Sequence, residues 1–206
     1  MSKVLVVTSK STFSKVSPLL EILQSTGWRV SLVDDLPGAA DIRSQGFRLL
    51  ISHHNGVILR QEHIDAVKGR CYNVHPSLLP LNRGASPIMW ATLRSTVYGI
   101  TIHQVTTGID KGNPVWQQLI EIDENLSLAA IYSVHERVWY EALRQMTVED
   151  RWREEPKDLL RPSMVEGPGT YHNRRQSETA FGSFSDGWET PAWRAREEYH
   201  ARFGLA

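Results

Sequence analysis

The opening of the chain most constrains its fold, because two kinds of apolar pattern follow each other there. Val4–Val7 is a short β-branched run of the type found in buried parallel strands. A segment with apolar residues at helical spacing begins near Ser17 and ends at Gly27. Trp28–Val33 then predicts a second strand. A strand, a helix and a strand in this order predict a parallel sheet with a right-handed crossover.

Later segments continue this α/β pattern. Apolar runs predict four more strands, at Phe47–Ser52, Cys71–His75, Gly99–Val105 and Val115–Ile122. Helices are predicted at Gln61–Lys68, from Ser86-Pro87 onward and at Ser127–Met146, whereas Pro37–Gly46 should be weakly structured. The last two strands could pair as a hairpin. We therefore predict an α/β fold with a mostly parallel sheet.

The character of the sequence changes near Asp150. We predict a main domain over residues 1–150, in which any catalytic site should lie, and a short C-terminal extension over residues 151–206 that packs on it. The extension is polar but holds Trp152, Trp188 and Trp193, and disordered tails are usually poor in aromatic residues. These aromatic residues could also form a homodimer contact.

Composition excludes several classes of function. Lys and Arg total 23, as do Asp and Glu, so no global charge attracts nucleic acid or a membrane. Cys71 is the only cysteine, which rules out a Cys-rich zinc site; we expect it at the buried start of a strand. No run of about 18 apolar residues predicts a membrane span, and the amino terminus turns polar too soon for a signal peptide. We expect a soluble cytoplasmic protein.

Asn73, His75 and Asp110 form a candidate catalytic set. Asn73 and His75 are two positions apart on one predicted strand, so their side chains project to the same face. Pro76 and Pro80 cannot continue that strand, and open α/β sheets bind ligands in loops at the carboxyl ends of strands. An amide, an imidazole and a carboxylate can move protons around a carbonyl carbon. Asn and His at a strand end can equally just satisfy local backbone groups.

Three motifs around this set resemble the folate-dependent formyltransferase family. They are Asn73-Val-His75-Pro-Ser-Leu-Leu-Pro80, Gly99-Ile-Thr-Ile-His103 and Thr107-Gly-Ile-Asp110-Lys-Gly112. Members of that family transfer a formyl group from N10-formyltetrahydrofolate to an amine, on a Rossmann-like domain. The continuation Leu81-Asn-Arg-Gly-Ala-Ser-Pro87 is similar to the branch that acts on nucleotide-linked amino sugars. The resemblance covers about residues 1–145.

The resemblance implies that Asn73, His75 and Asp110 are catalytic. Asn73 and His75 would stabilise the oxyanion of a tetrahedral intermediate, and Asp110 would carry protons from the amine to the departing folate nitrogen. Whether His75 acts as a base or as a charged donor stays open. The implied folate pocket consists of Asn55, Gly56, Val57, Ile58, Leu59, Leu79, Thr106, Thr107 and Gly108. The preceding His53-His54 pair departs from the aromatic or apolar residues usual in the family.

The implied acceptor site is less well marked. Its candidate residues are Ser9, Lys10, Ser11, Ser77, Arg83 and Tyr171. The serine loop after the first strand precedes a helix, whose backbone N–H groups can bind phosphate. Arg83 could bind phosphate bidentately or form a surface salt bridge. Tyr171 belongs to a Gly-Thr-Tyr-His segment similar to one in sugar formyltransferases, and could instead dock the tail.

We expect no metal site. Neighbouring residues on a strand point to opposite faces, so His53 and His54 should not share an ion. His63, His75 and His103 have no carboxylate at a recognised ligand spacing. His103 could support the catalytic set from behind or serve as a core histidine.

We predict formyl transfer to a small primary amine, with a nucleotide-linked amino sugar as the preferred acceptor. Methionyl-tRNA formyltransferases carry a further C-terminal domain for tRNA, whereas residues 151–206 hold nine basic and nine acidic residues. The alternatives are glycinamide ribonucleotide or a hydroxyornithine-like amine as acceptor, and a formyltetrahydrofolate hydrolase. Relatives with that activity commonly have an amino-terminal regulatory domain, and this chain begins with the first strand. A non-enzymatic folate or sugar-nucleotide binder would not need the intact catalytic set.

Overall fold

The structure is a computed structural model that describes residues 1–204, with the side chains of residues 13–15 excepted. Its strands are β1 (Lys3–Val7), β2 (Arg29–Val33), β3 (Phe47–Ser52), β4 (Cys71–His75), β5 (Arg83–Gly84), β6 (Tyr98–Gln104), β7 (Pro114–Ile120) and β8 (Tyr171–His172). Its α-helices are α1 (Ser17–Ser25), α2 (Ala39–Ser44), α3 (Gln61–Ala66), α4 (Pro87–Leu93), α5 (Leu128–Val148), α6 (Pro156–Leu159), α7 (Arg174–Phe181) and α8 (Ala192–Phe203). Short 3₁₀ helices lie at Lys10–Lys15, Arg151–Arg153 and Gly187–Glu189.

Six strands form the main sheet, in the order β2-β1-β3-β4-β6-β7. The pairs β1–β2, β1–β3 and β3–β4 are parallel, as the opening strand-helix-strand pattern predicts. The strands β6 and β7, which the sequence suggested could form a hairpin, are neighbours in the sheet. The predicted α/β class with a mostly parallel sheet is therefore confirmed.

Contacts divide the described chain into two compact units. The first comprises Met1–Val74, Ile102–Trp116 and Trp139–Pro162. Its core includes Cys71, which is fully buried at the start of β4 as predicted. Other members of this core are Leu5, Val7, Ile42, Phe47, Leu50, Leu59 and Ile64. Burial raises the pKa of the Cys71 thiol to about 12, so this cysteine is chemically quiet.

The second unit comprises His75–Thr101, Gln117–Val138 and Ser163–Ala206. The buried face of α4 packs there against residues of α7 and α8 (Met89, Trp90, Leu93, Ala180 and Ala195). The Trp90 indole donates a hydrogen bond of 2.9 Å to Ser177 Oγ. The two short strands β5 and β8 pair in parallel within this unit. The boundary between the units thus does not fall at residue 150, and the functional division 1–150 and 151–206 stays a prediction.

Two local predictions need correction. The segment expected to be weakly structured contains α2, in which Ala39 and Ile42 are buried three residues apart. Fewer than two helical turns leave too short a periodicity to detect in the sequence. Ser86 precedes α4 as expected, but it has a left-handed φ of 52° and its side chain makes no capping hydrogen bond. Pro87 alone carries the predicted start signal.

His53 and His54 do not have the strand geometry that was expected of them. The strand β3 ends at Ser52, and His54 has a positive φ of 45°, so strand geometry does not hold there. The two rings lie 4.7 Å apart, and both contact the ring of Trp139. In the described part of the chain, however, no three His, Cys, Asp or Glu residues are grouped as metal ligands. Nor is any described helix long and apolar enough to cross a bilayer.

His53 is buried without a hydrogen-bond partner on either ring nitrogen. Burial, reinforced by the neighbouring His54, lowers the pKa of His53 to about 3. In the second unit, burial lowers the pKa of His135 to about 4, although a backbone hydrogen bond from its ring to Ile131 opposes the shift. Both imidazoles are therefore neutral in the folded protein near pH 7.

We predict that folding stability falls as the pH drops below about 6.5. In the unfolded chain His53 is then protonated, whereas in the folded protein it stays neutral because its pKa is lower. The loss should approach about 1.4 kcal/mol per pH unit for each such histidine. Urea unfolding between pH 6.5 and 4.5 should be less steeply pH-dependent in His53→Phe than in the wild type, with equal slopes above pH 7.5. Identical slopes across the acidic range would contradict the assignment.

Candidate active site

Three polar side chains of the first unit converge where β4 and β6 run side by side. Asn73 comes from the middle of β4, His103 from the end of β6, and Asp110 from the loop that follows β6. Asn73 Nδ2 lies 3.2 Å from His103 Nε2 and 3.4 Å from Asp110 Oδ1. His103 Nε2 is 3.5 Å from the same carboxylate oxygen. Two members of the candidate catalytic set, Asn73 and Asp110, are thus in contact.

The hydrogen bonds in this network determine the proton positions. His103 Nδ1 lies 3.0 Å from the carbonyl oxygen of Gln104, so Nδ1 must carry the proton and donate it. His103 Nε2 is then an acceptor, and one N–H of the Asn73 amide donates to it. The other N–H donates to Asp110.

Burial strengthens the network. The side chains of His103 and Asp110 are only 3% and 12% exposed. Hydrogen bonds in such a low-dielectric setting are stronger than in water, and an acceptor left without its donor costs more. A substrate group that draws the Asn73 amide away therefore leaves the Asp110 carboxylate with one donor fewer.

A close backbone approach supports His103 from behind. A Cβ atom placed on Gly112 would overlap the carbonyl oxygen of Gln104, and would come within 3.1 Å of His103 Nδ1. The other glycine of this loop, Gly108, would meet only the flexible side chain of Lys111. Of the two glycines that bracket Asp110, Gly112 is the one the geometry requires.

His75 belongs to the second unit and is 4% exposed. Its Nε2 lies 3.0 Å from the carbonyl oxygen of Asn82 and donates to it. Asn82 is itself buried, and its backbone N–H donates to Thr170 Oγ1 over 2.7 Å. The His75 ring is thus held in a defined orientation by a loop that the tail segment anchors.

The sequence indicates the roles of the histidines only in part. It left open whether His103 supports the site or fills the core, and the structure places His103 in direct contact with Asn73 and Asp110. It missed the contributions of Gln104 and Gly112, because both act through the backbone. In the sequence, the trace of this arrangement is the glycine at position 112, in the loop after β6.

The predicted donor-binding residues divide into exposed and buried ones. Val57 and Ile58 are 41% and 68% exposed, whereas Leu59 packs into the core of the first unit. Asn55 shapes this loop: its Oδ1 accepts from Val57 N–H, and its Nδ2 donates to Ser52 Oγ at 3.0 Å. Thr106 and Thr107 are also exposed, and Gly108 is half-buried. In the second unit Leu79 is buried, with its carbonyl oxygen accepting from Gln117 and Ser163.

The predicted phosphate-binding serine loop differs from the expectation. A 3₁₀ helix, Lys10–Lys15, stands between β1 and α1, so α1 does not follow Ser11 directly. Ser9 Oγ donates 2.7 Å to the carbonyl oxygen of His54, and is therefore occupied. Lys10 and Ser11 are exposed. A phosphate held there would meet their side chains rather than the amino end of an α-helix.

The other acceptor candidates lie in the second unit. Ser77 is buried, and its hydroxyl donates 2.6 Å to the carbonyl oxygen of Leu81. Arg83 directs Nε to the Thr170 carbonyl at 3.3 Å and Nη2 to the Pro168 carbonyl at 3.4 Å. Tyr171 is 47% exposed. A Cβ atom on Gly84 would lie 2.8 Å from the Tyr171 ring, so the ring packs closely on the Gly84 backbone.

The chain is similar to known formyltransferases in sequence and in fold. The formyl transferase family model matches residues 4–147. The formyltransferase PseJ from Anoxybacillus kamchatkensis, solved with UDP-4,6-dideoxy-4-formamido-L-AltNAc and tetrahydrofolate, shares the fold at a TM-score of 0.78 and 23% identity, covering 95% of this chain and 97% of that one. Phosphoribosylglycinamide formyltransferase from Bacillus halodurans aligns at a TM-score of 0.60 and 20% identity, over 70% of this chain and 95% of that one.

One relative found by sequence is a formyltransferase that acts, by its name, on methionyl-tRNA. Methionyl-tRNA formyltransferase from Borrelia hermsii is 42% identical over 85 residues, or 41% of this chain. The matched stretch spans only 28% of that relative's length. The sequence similarity thus concerns a part of each protein.

We predict that Gly112→Ala destabilises the folded protein by about 1–3 kcal/mol, because the new methyl group must displace the Gln104 carbonyl. Urea unfolding would measure the loss. Gly182→Ala is the matched control, since its Cβ would stand 3.5 Å from the nearest atom and its φ of −64° suits alanine. Equal stabilities of the two variants would contradict the close approach at Gly112.

Proposed function

We propose a folate-dependent formyl transfer for this chain, which belongs to the formyl transferase family. The formyl donor would be N10-formyltetrahydrofolate, and the acceptor the primary amine of a small molecule, with a nucleotide-linked amino sugar as the preferred case. The observation that carries the proposal is the partly buried contact of Asn73 with both His103 and Asp110. Neither a metal nor a further cofactor enters the proposed reaction.

The hydrogen bonds of Asn73 suggest how the reaction would proceed. Both N–H groups of its amide are engaged, one by His103 and one, over a longer 3.4 Å, by Asp110. As the amine nitrogen attacks the formyl carbon, the carbonyl oxygen gains negative charge and competes for the second N–H. A preorganised donor of this kind is typically worth roughly 3–4 kcal/mol in the transition state.

Asp110 is well placed for the accompanying proton transfer. When Asn73 turns toward the oxyanion, the Asp110 carboxylate loses a donor and becomes a stronger proton acceptor. It would take the proton released by the attacking amine and deliver it to the folate nitrogen as the carbon–nitrogen bond to the donor breaks. One proton leaves the amine and one reaches the folate, so the transfer balances. His75 already donates Nε2–H to the Asn82 carbonyl oxygen, so it would add a second donor to the oxyanion through Nδ1 in its doubly protonated form.

Two features support a nucleotide-linked amino sugar as acceptor. PseJ, a fold relative matched over 97% of its length, was solved with a UDP-linked formamido sugar. The exposed Tyr171 ring and the neighbouring Arg83 offer an aromatic surface and a guanidinium, which suit a base and a phosphate. Arg83 uses two of its five N–H groups on carbonyl oxygens, so others remain for an acceptor.

Methionyl-tRNA is the second candidate acceptor, because the sequence relative with 42% identity carries that name. The equal numbers of basic and acidic residues argue against it, since affinity for nucleic acid rests largely on cationic contacts to phosphate. Glycinamide ribonucleotide, hydroxyornithine-like amines and water remain as outcomes of an acceptor screen.

We expect Asn73→Ala, His75→Ala and Asp110→Ala each to lower the rate of formyl transfer by about 10²–10³-fold, because each removes a charge-stabilising or proton-carrying group. Release of tetrahydrofolate, followed by absorbance, would measure the rate. Asp158→Ala is the matched control, since its carboxyl group is exposed on α6. Near-wild-type rates in all three site variants would refute the proposed mechanism.

The acceptor is tested by turnover with a panel of amines. We expect tetrahydrofolate release with a nucleotide-linked 3- or 4-amino sugar, and little release with methionyl-tRNA, glycinamide ribonucleotide or no amine. Tyr171→Ala should raise the KM for the sugar nucleotide about tenfold while leaving the KM for the donor unchanged, because it removes a stacking surface. Turnover without any amine would identify a hydrolase, and turnover only with tRNA would overturn the sugar assignment.

A further inference from the structure

A second candidate site lies in the first unit, away from the Asn73 network. A cavity of about 780 Å³ opens at the amino ends of β1 and β3. All its charged lining side chains are basic: Lys3, Arg48, Arg70 and Arg153. None of its lining residues belongs to the candidate active site. We propose that this cavity binds a small anion that carries several adjacent phosphate groups.

Two of the four positive charges are uncompensated. Lys3 Nζ donates 2.7 Å to the carbonyl oxygen of Gln45, which is a neutral partner. Arg48 is exposed as the second residue of β3. Within the described part of the chain, the ion pairs of this unit involve other residues. An anion entering the cavity would therefore meet two charges that no carboxylate neutralises.

The other two guanidinium groups are already held in place. Arg70 Nη2 lies 2.7 Å from Glu155 Oε1. Arg153 Nε lies 2.7 Å from Asp150 Oδ1, and its Nη1 donates 3.0 Å to Ser2 Oγ. Each arginine keeps further N–H donors beyond these bonds. Groups that are already ordered lose less conformational freedom when a ligand binds, so they favour affinity.

The Trp28 ring adds to this order. The Arg153 guanidinium lies 4.9 Å above the centre of the ring, in cation–π contact. Trp28 and Trp152 are only 4% and 0% exposed, so neither ring offers a face on which a nucleobase could stack. The cavity is thus fitted to the charge of a ligand and not to an aromatic ring.

Phosphate matches these donors better than an isolated carboxylate does. Guanidinium groups bind phosphate oxygens bidentately, and a chain of phosphates presents several charges to the four basic side chains at once. A volume of about 780 Å³ is in the range of sites that hold small molecules. The rim carboxylates Glu155 and Asp150 are more than half exposed, so water screens their repulsion.

Calorimetric titration with sodium tripolyphosphate tests the proposal. We expect saturable binding of one equivalent, with a Kd that weakens as salt rises. Arg48→Ala and Lys3→Gln should each weaken the Kd about tenfold, because each removes a charged contact. Arg137→Ala, which removes an exposed arginine of α5, should leave the Kd unchanged. Thermal melting checks that every variant folds.

Two comparison ligands make the class of ligand testable. Citrate should bind at least tenfold more weakly than tripolyphosphate, and ATP should bind with a Kd similar to that of tripolyphosphate, because no ring face is free for adenine. Equal affinity for citrate would overturn the assignment to phosphate. A much tighter Kd for ATP would overturn recognition by the phosphates alone. Absence of saturable binding, or an unchanged Kd in Arg48→Ala, would overturn the site itself.

Discussion

The carbonyl group of Gln104 is the point on which the candidate site depends. Its oxygen accepts a hydrogen bond from His103 Nδ1–H. The same oxygen occupies the space that a side chain at position 112 would need, so only glycine fits there. The same residue is tied down on two other sides, by its N–H to the Asn113 carbonyl and by its side-chain amide to the Gly69 carbonyl. Through His103 Nε2, this one oxygen determines which way the Asn73 amide faces.

That dependence explains why a main-chain atom can control a reaction it never touches. If the Gln104 carbonyl turned away, His103 could carry its proton on Nε2, and that proton would point at the Asn73 amino group. The amide would then have to flip, placing its oxygen toward the Asp110 carboxylate, where two acceptors repel. Satisfied networks of this kind impose one arrangement, because every alternative leaves a buried group without a partner.

Elements with a strong local pattern were predictable. The apolar runs at β1, β3 and β4 lie within a residue of their predicted bounds, because buried parallel strands need little more than such a run. The short helix α2 was missed since it has too few residues for a period. The β5–β8 pair could not be predicted at all, because it joins residues far apart in the sequence.

The candidate site was predictable to a similar degree. The residue types and their positions along the chain indicated Asn73, His75 and Asp110. The structure brings Asn73 and Asp110 together, and it holds the His75 ring against the Asn82 carbonyl oxygen. The role of His103 was left open because a buried histidine at an alternate strand position has the same pattern whether it fills a core or holds an amide. For Ser9 the sequence indicated a role that the structure does not favour. Its position after β1 suits phosphate binding, but its hydroxyl donates to the carbonyl oxygen of His54, which is distant in the sequence.

Each of the two units is built from three separate segments of the chain, and this affects how the protein folds during synthesis. The ring cluster at the end of β3 stays open until Trp139 has left the ribosome, and α4 lacks its cover until α7 and α8 follow. Contacts over such separations form slowly, because a long loop must close before any of them stabilises the chain. During that interval the apolar faces of the early strands are exposed. The nascent chain should therefore be most prone to aggregation after the early strands have been synthesised and before Trp139, α7 and α8 are available to cover their apolar neighbours.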